Sequence, residues 1–277
     1  MKIFSPAKVN LFLHVLGKRP DGYHEIETLM CCVSLYDIMH INFTNGATSL
    51  TCTDQEIPCD EKNHAIKAVN LFSGKLKKNI AVKIHIEKKI PSGAGLGGGS
   101  SNAASVLSAL NIHFGHPFSI EEIMSMGLEI GADVPFFLFN KPALATGIGE
   151  KLEEYALKLA YKILIVYPGF SVSTADVYKN LNLGLTNCKK KFKSLSLKQE
   201  FDAQLLCNDL EYVTASMYPE INTIKEALLK QKASGVLMSG SGSSVFGLFP
   251  DSNSAANAVT VLSQNRGWRI FVVDSIN

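Results

Sequence analysis

No apolar run in this 277-residue chain approaches the roughly 18 residues of a membrane-spanning helix, and its first residues carry no secretory h-region. A helical membrane protein is not expected; a cytoplasmic one is. Charge of either sign is scarce too. Twenty-seven Lys and Arg stand against 25 Asp and Glu, a net of +2, so nothing in the balance suggests a nucleic-acid surface. The one basic cluster, Lys189 to Lys193, reads as a solvated loop. The six cysteines form no paired Cys-x-x-Cys and no spacing with histidines, so a structural metal is not expected and reduced thiols are. Cys31 and Cys32, adjacent in a strand, would face opposite sides. Internal repeats are lacking, and 46% hydrophobic against 19% charged residues excludes a disordered chain.

What the chain does have is Pro91-Ser-Gly-Ala-Gly-Leu-Gly-Gly-Gly-Ser-Ser-Asn-Ala-Ala104, with glycine at 93, 95, 97, 98 and 99. Before it, Val82, Ile84 and Ile86 alternate as in a half-buried strand. After it, Asn102 to Phe114 has apolar residues at helical spacing. Strand, glycine loop and helix start together make an anion site, because the first helical turn leaves N–H groups unpaired and carries partial positive charge. Phosphate is the expected guest. A linker would not be bounded by two regular elements. A dinucleotide fold would need a second strand ending in an acid about 20 residues on. Here Phe118-Ser-Ile-Glu-Glu opens a helix instead, with Ser119 and Glu122 as a capping box. No lysine follows the glycines as in a P-loop.

In chain order, strands are expected in Ile3–Val15, Tyr23–Val33, Asp37–Phe43 and Ser49–Thr53, and a helix over Asn63–Lys77. The capped helix ends at Gly131, and Ala132-Asp133-Val134-Pro135 restarts the chain. A domain boundary is expected near residue 155, giving regions 1–155 and 156–277. Beyond it come a strand over Lys162–Tyr167 and a short helix from Ser173-Thr174 to Tyr178. Two helices, Phe201–Met217 and Pro219–Lys230, precede strands around a second glycine-serine turn, Ser239 to Ser244. Strands and helices are segregated, which predicts an α+β fold.

Three separated segments, Pro6-Ala-Lys-Val-Asn-Leu-Phe-Leu13, the glycine loop, and Met238-Ser-Gly-Ser-Gly-Ser-Ser-Val-Phe246, resemble the three motifs of the GHMP kinases. Asp21-Gly-Tyr-His-Glu-Ile-Glu-Thr-Leu29 is similar to a signature of the members that act on a CDP-linked methylerythritol. The resemblance implies a two-domain α+β fold with its site in the cleft between domains, and ATP-dependent phosphorylation of a hydroxyl of that substrate with Mg²⁺. It implies Asp133 as base and Lys8 as its electrostatic partner. ATP would be held by Pro91, Ser92, Gly93, Ala94, Gly95, Leu96, Gly97, Gly98, Gly99, Ser100 and Ser101. Asn10, Tyr23, His24, Thr174 and Tyr178 would hold the substrate, with Tyr23 and Tyr178 expected to flank its cytosine ring and His24 to read the polar edge. The metal ligands stay open, Ser100 and Ser101 being candidates by their hydroxyls alone, and so does the choice between monomer and homodimer.

From spacing and composition alone, a helix cap is the favoured reading of Asp133 and a strand-edge lysine that of Lys8; only the joint pattern of motifs overturns them. Tyr23 and His24 are read equally as a half-buried strand start. Competing functions are another small-molecule kinase of the family, acting on mevalonate or homoserine, and a nucleotide sensor without chemistry.

Overall fold

The computed structural model describes residues 1–186, 188 and 201–276, so the basic cluster at Lys189 to Lys193 lies outside the described residues. The chain forms two compact units: Met1–Ala7, Leu35–Ser92 and Gly97–Asn140 in the first, Lys8–Ser34, Gly93–Leu96 and Lys141–Asn277 in the second. Two long strands, β1 (Lys2–Lys18) and β2 (His24–Thr44), contribute residues to both.

In the first unit, β2 pairs antiparallel with β4 (Ala81–Glu87), setting Met39, Ile41 and Phe43 opposite Ile86, Ile84 and Val82. Strand β3 (Ser49–Cys52) lies parallel to β4 on its other edge. The alternation legible in β4 is a true one: Val82, Ile84 and Ile86 are buried while Lys83 and His85 are exposed. Four helices complete the unit: α1 (His64–Leu76), α2 (Gly98–His113), α3 (Ile120–Ile130) and α4 (Val134–Phe139). Asn63 caps α1 by accepting from the Ala65 amide at 2.9 Å. Ser119 and Glu122 form the expected capping box on α3. Phe72 of α1 is fully buried, its ring 5.1 Å from Phe118.

In the second unit, β2 pairs with β5 (Ala143–Gly147), which turns back into β6 (Lys151–Glu154). A separate antiparallel sheet has the order β11 (Arg269–Val273), β7 (Lys162–Tyr167), β10 (Val245–Phe249), β9 (Gly235–Met238). Helices α5 (Thr174–Lys179), α6 (Glu211–Met217), α7 (Glu220–Lys230) and α8 (Ser252–Leu262) belong here. One apolar core joins Leu164, Val166, Ile221, Leu228, Phe249 and Ala258. The α+β class is as expected, and no helix among the described residues is long and apolar enough to cross a membrane.

Several expectations are corrected. The two strands expected on either side of Ser34 are one strand of 21 residues. Ser34 looks like a break because it is polar, yet its amide donates to the Asp274 carbonyl and its hydroxyl accepts from the Asp274 amide, both at 2.9 Å. Residues Phe201–Met217 are not one helix. A 3₁₀ turn at Ala203–Leu205 and strand β8 (Cys207–Asn208) precede α6. Local helix propensity loses there to tertiary bonds: the buried Asp209 carboxylate accepts from the amides of Val15 and Cys188 at 2.9 and 3.0 Å. The expectation of reduced thiols fails at Cys188 and Cys207, which are joined by a disulfide. Together with Asp209 they make up the one group of potential metal ligands among the described residues, but both sulfurs are spent on each other. Cys31 and Cys32 are both buried, and burial pushes the Cys32 thiol up to about 12, which leaves it unreactive.

Candidate active site

Within the second unit, parts of all three motifs are hydrogen-bonded into one cluster. Lys8 is only 4% exposed, in mid-β1, so it is not a strand-edge lysine. Residues two apart on a strand share a face, and Lys8 Nζ donates to Asn10 Oδ1 at 2.6 Å. Asn10 Nδ2 donates to Thr28 Oγ1 at 2.8 Å, and Thr28 donates on to the Phe12 carbonyl at 2.6 Å. That relay fixes which way the Asn10 amide faces, with its oxygen towards the ammonium.

The first half of the glycine loop is tied to the same place. The Lys8 amide donates to the Leu96 carbonyl at 3.0 Å, and Ser239 Oγ donates to the Gly95 carbonyl at 2.9 Å. The Ser244 amide donates to the Ala94 carbonyl at 3.1 Å. Gly95 has φ +74°, and a Cβ built there would lie 2.0 Å from the Ser239 carbonyl oxygen. Only glycine fits, on both counts. The Ser239–Ser244 turn is held from behind by Asn208, whose Nδ2 donates to the carbonyls of Met238 and Gly240 at 2.8 and 2.7 Å. A Cβ on Gly240 would stand 3.4 Å from both Lys8 Nζ and Asn10 Oδ1.

The second half of the loop belongs to the first unit. Gly97, at φ +70°, is the N-cap of α2 and supplies no side-chain cap, and no acid lies in the first turn. That leaves the positive end of the helix without the side-chain compensation most helices carry. Ser101 Oγ and Asn102 Nδ2, buried where α2 begins, have no hydrogen-bond partner among the described residues. His64 approaches from α1: its Nδ1 is 3.5 Å from where a Cβ on Gly99 would sit. Burial first, and then the charge of Lys67, hold the His64 imidazole below its usual pKa, which favours its neutral form. Asp133 occupies the N-cap position of α4 but its side chain makes no capping bond, so the cap reading does not account for its carboxylate.

Residues 63–141 match the family model of the GHMP kinases N-terminal domain, and residues 188–266 that of the GHMP kinases C-terminal domain. The chain belongs to the GHMP kinases. It is 44% identical to 4-diphosphocytidyl-2-C-methyl-D-erythritol kinase of Syntrophotalea carbinolica, over 99% of this chain and 98% of that one. The protein of the same name from Syntrophus aciditrophicus is 46% identical, with both chains fully covered. A solved structure of 4-(cytidine 5'-diphospho)-2C-methyl-D-erythritol kinase aligns over the whole of both chains with a TM-score of 0.80 at 31% identity.

In this GHMP kinase the residues expected to hold the acceptor fall in the second unit as well. Thr174 Oγ1 and Ser241 Oγ are hydrogen-bonded at 2.7 Å, which ties the start of α5 to the third motif. His24, first residue of β2, stacks on Tyr178 of α5 with ring centroids 4.9 Å apart. Burial, and then Lys18, lower the pKa of His24. Tyr23 is not a half-buried strand start: it sits in the preceding turn and is 59% exposed. Sequence reasoning passed over Thr28, Asn208, Ser239 and His64. Ser239 was within reach as part of a motif, whereas Asn208 gave no signal, since nothing in its neighbourhood announces a bond to a turn 30 residues on.

Proposed function

We propose that this kinase transfers the γ-phosphoryl group of ATP to the 2-hydroxyl of 4-diphosphocytidyl-2-C-methyl-D-erythritol, a step of the non-mevalonate route to isoprenoid precursors. The observation that carries this reading is the clustering of Lys8, Asn10, the Gly93–Leu96 segment and the Ser239–Ser244 turn, in a chain whose full-length relatives bear that activity in their names.

Phosphoryl transfer asks little covalent chemistry of the protein; it needs an aligned hydroxyl, a group that takes or directs its proton, and positive charge on the migrating group. The loop amides and the uncapped start of α2 bind the ATP phosphates. Asp133, at the start of α4, accepts the proton of the attacking hydroxyl, the role that the likeness to the GHMP kinases gives it. Lys8 lowers the charge cost on both the carboxylate and the transferring phosphoryl. Mg²⁺, bound with ATP, supplies further positive charge. The buried, unpartnered Ser101 Oγ fits that group, and Ser100 precedes it in the same helical turn. Thr174 and Asn10 orient the acceptor, and the paired rings of His24 and Tyr178, with Tyr23 beside them in sequence, receive its cytosine. The protein acts in the cytoplasm.

ADP release coupled to a spectrophotometric readout tests this, with the CDP-linked substrate beside mevalonate and homoserine. Turnover of the first alone is expected; a preference for mevalonate or homoserine would move the chain to another branch of the family. ATP binding without turnover of any acceptor would make it a sensor.

A further inference from the structure

The proposal that the glycine loop holds ATP phosphates leaves open what holds the loop. We infer that Asp37 and Lys88 are positioning residues for it, acting through Gly98.

Asp37 lies in the middle of β2 and its side chain is fully buried. Its Oδ2 accepts from Lys88 Nζ at 2.6 Å, and its Oδ1 accepts from the amides of Lys89 and Ile90 at 2.8 and 2.9 Å. Lys88 Nζ also donates to the Ile90 carbonyl at 2.6 Å. One carboxylate thus fixes the backbone between the end of β4 and Pro91, where the loop begins. The same ammonium reaches the loop's far side. A Cβ built on Gly98 would stand 2.9 Å from Lys88 Nζ and 3.0 Å from Ile90 Cγ2. Gly98 is already helical, with no positive φ to require glycine. The space its missing side chain leaves is taken by the head of Lys88. Carboxylate, ammonium and glycine form a strut that fixes where the first turn of α2 starts. As an ion pair the strut adds no net charge, so it acts through position. A buried pair of this kind is costly to desolvate, and the further bonds to three backbone groups are what hold it in one geometry.

The test is a double-mutant cycle on ATP affinity, read by calorimetry with intact protein, beside acceptor KM and kcat. The Asp37→Asn/Lys88→Met pair empties the Nζ position, because methionine is one atom shorter, without leaving a lone buried charge. It is expected to raise the Kd for ATP about tenfold, inside the usual range for contacting residues, with acceptor KM unchanged. Gly98→Ala should cost about tenfold in the wild type and measurably less in that background, since the nearer obstacle, Lys88 Nζ, has gone while Ile90 Cγ2 at 3.0 Å remains. An equal cost in both backgrounds overturns the inference, as does an unaltered Kd in the paired variant. Should that variant not fold, Lys88→Arg replaces it: arginine keeps the ion pair but crowds Gly98, so a folded Lys88→Arg protein with wild-type ATP affinity also overturns it. Failure of the wild type to bind ATP would instead remove the proposed function itself.

Discussion

Replacing Gly95 by alanine should do more damage than the loss of a flexible residue can explain, and the structure says by how much. Its φ of +74° places any L-residue in the left-handed region, at about 1–2 kcal/mol. The new Cβ would meet the Ser239 carbonyl oxygen at 2.0 Å and the Gly242 oxygen at 3.1 Å. Those atoms are backbone and cannot rotate away, so the turn of the third motif must shift, an overpacking cost of about 1–3 kcal/mol. The sum is about 2–5 kcal/mol. Gly115 supplies the control: its φ is +76°, yet nothing lies within 4 Å of its ideal Cβ. Gly115→Ala should therefore show the strain alone, about 1–2 kcal/mol. Urea denaturation of the two variants isolates the steric share as their difference. Gly95→Ala should also lower kcat/KM strongly, since the Ser239–Gly95 bond and the neighbours of Lys8 move with the turn. Gly115→Ala should leave it near wild type. Equal destabilisation by the two variants would refute the claim that the loop and the third motif are packed backbone to backbone.

Asp133→Asn keeps the side-chain shape and removes the charge, and should lower kcat by about 10²–10⁴ with circular dichroism and ATP binding unaltered; turnover within about threefold of wild type would dismiss it as the base. His24→Ala and Tyr178→Ala should each raise KM for the CDP-linked substrate about 5- to 150-fold, as expected for a base stacked on an aromatic side chain, and leave the Kd for ATP alone. An unmoved KM would mean the two rings only pack on each other. His64 is held below its ordinary 6.5 by burial, so the unfolded chain binds the proton more readily than the folded one. Its contribution to stability is whole above 6.5 and is lost as pH falls from there through the folded-state pKa. Thermal melts of His64→Gln against wild type on acidification should show the variant losing less; parallel curves would contradict the burial of this imidazole.

The local elements were legible in the sequence because their signals are local. Alternation in Val82-Lys83-Ile84-His85-Ile86 needs no partner to be read, and neither does the Ser119–Glu122 box or the glycine turn between β9 and β10. What escaped is settled by distant residues. Ser34 continues a strand because Asp274 completes its hydrogen bonds, and 207–209 leaves the helical pattern because Asn208 and Asp209 bond elsewhere. Cys188 and Cys207 carry no motif, so only folding reveals their bond. The two compact units exchange segments along the chain, and β1 and β2 read as ordinary strands with no sign of belonging to both. In the site, the motifs named Lys8, Asn10 and the loop. The expectation paired Tyr23 with Tyr178, whereas it is His24 that stacks on Tyr178, since adjacent residues alternate and the start of the strand decides which one turns inward.

The glycines of the loop show why motif and mechanism need separate arguments. A run of five invites the reading that each makes room for phosphate. Three of them answer to the protein instead. A Cβ on Gly93 would lie 2.5 Å from Ser171 Cβ, that of Gly95 would strike Ser239, and that of Gly98 would meet Lys88 and Ile90. A bulky residue at 98 would therefore abolish ATP binding even if no phosphate came near it, by pushing α2 off its strut. Gly99 differs: it is helical, free of positive φ, and its nearest neighbour, His64 Nδ1, is at an ordinary 3.5 Å. A methyl there disturbs little of the protein, so its effect on ATP reports on the ligand. Three of the loop's glycines are required by what crowds them, the Ser171 side chain, the Ser239–Gly242 backbone and the buried Lys88 with Ile90, and that crowding fixes the direction of the loop amides before any anion arrives.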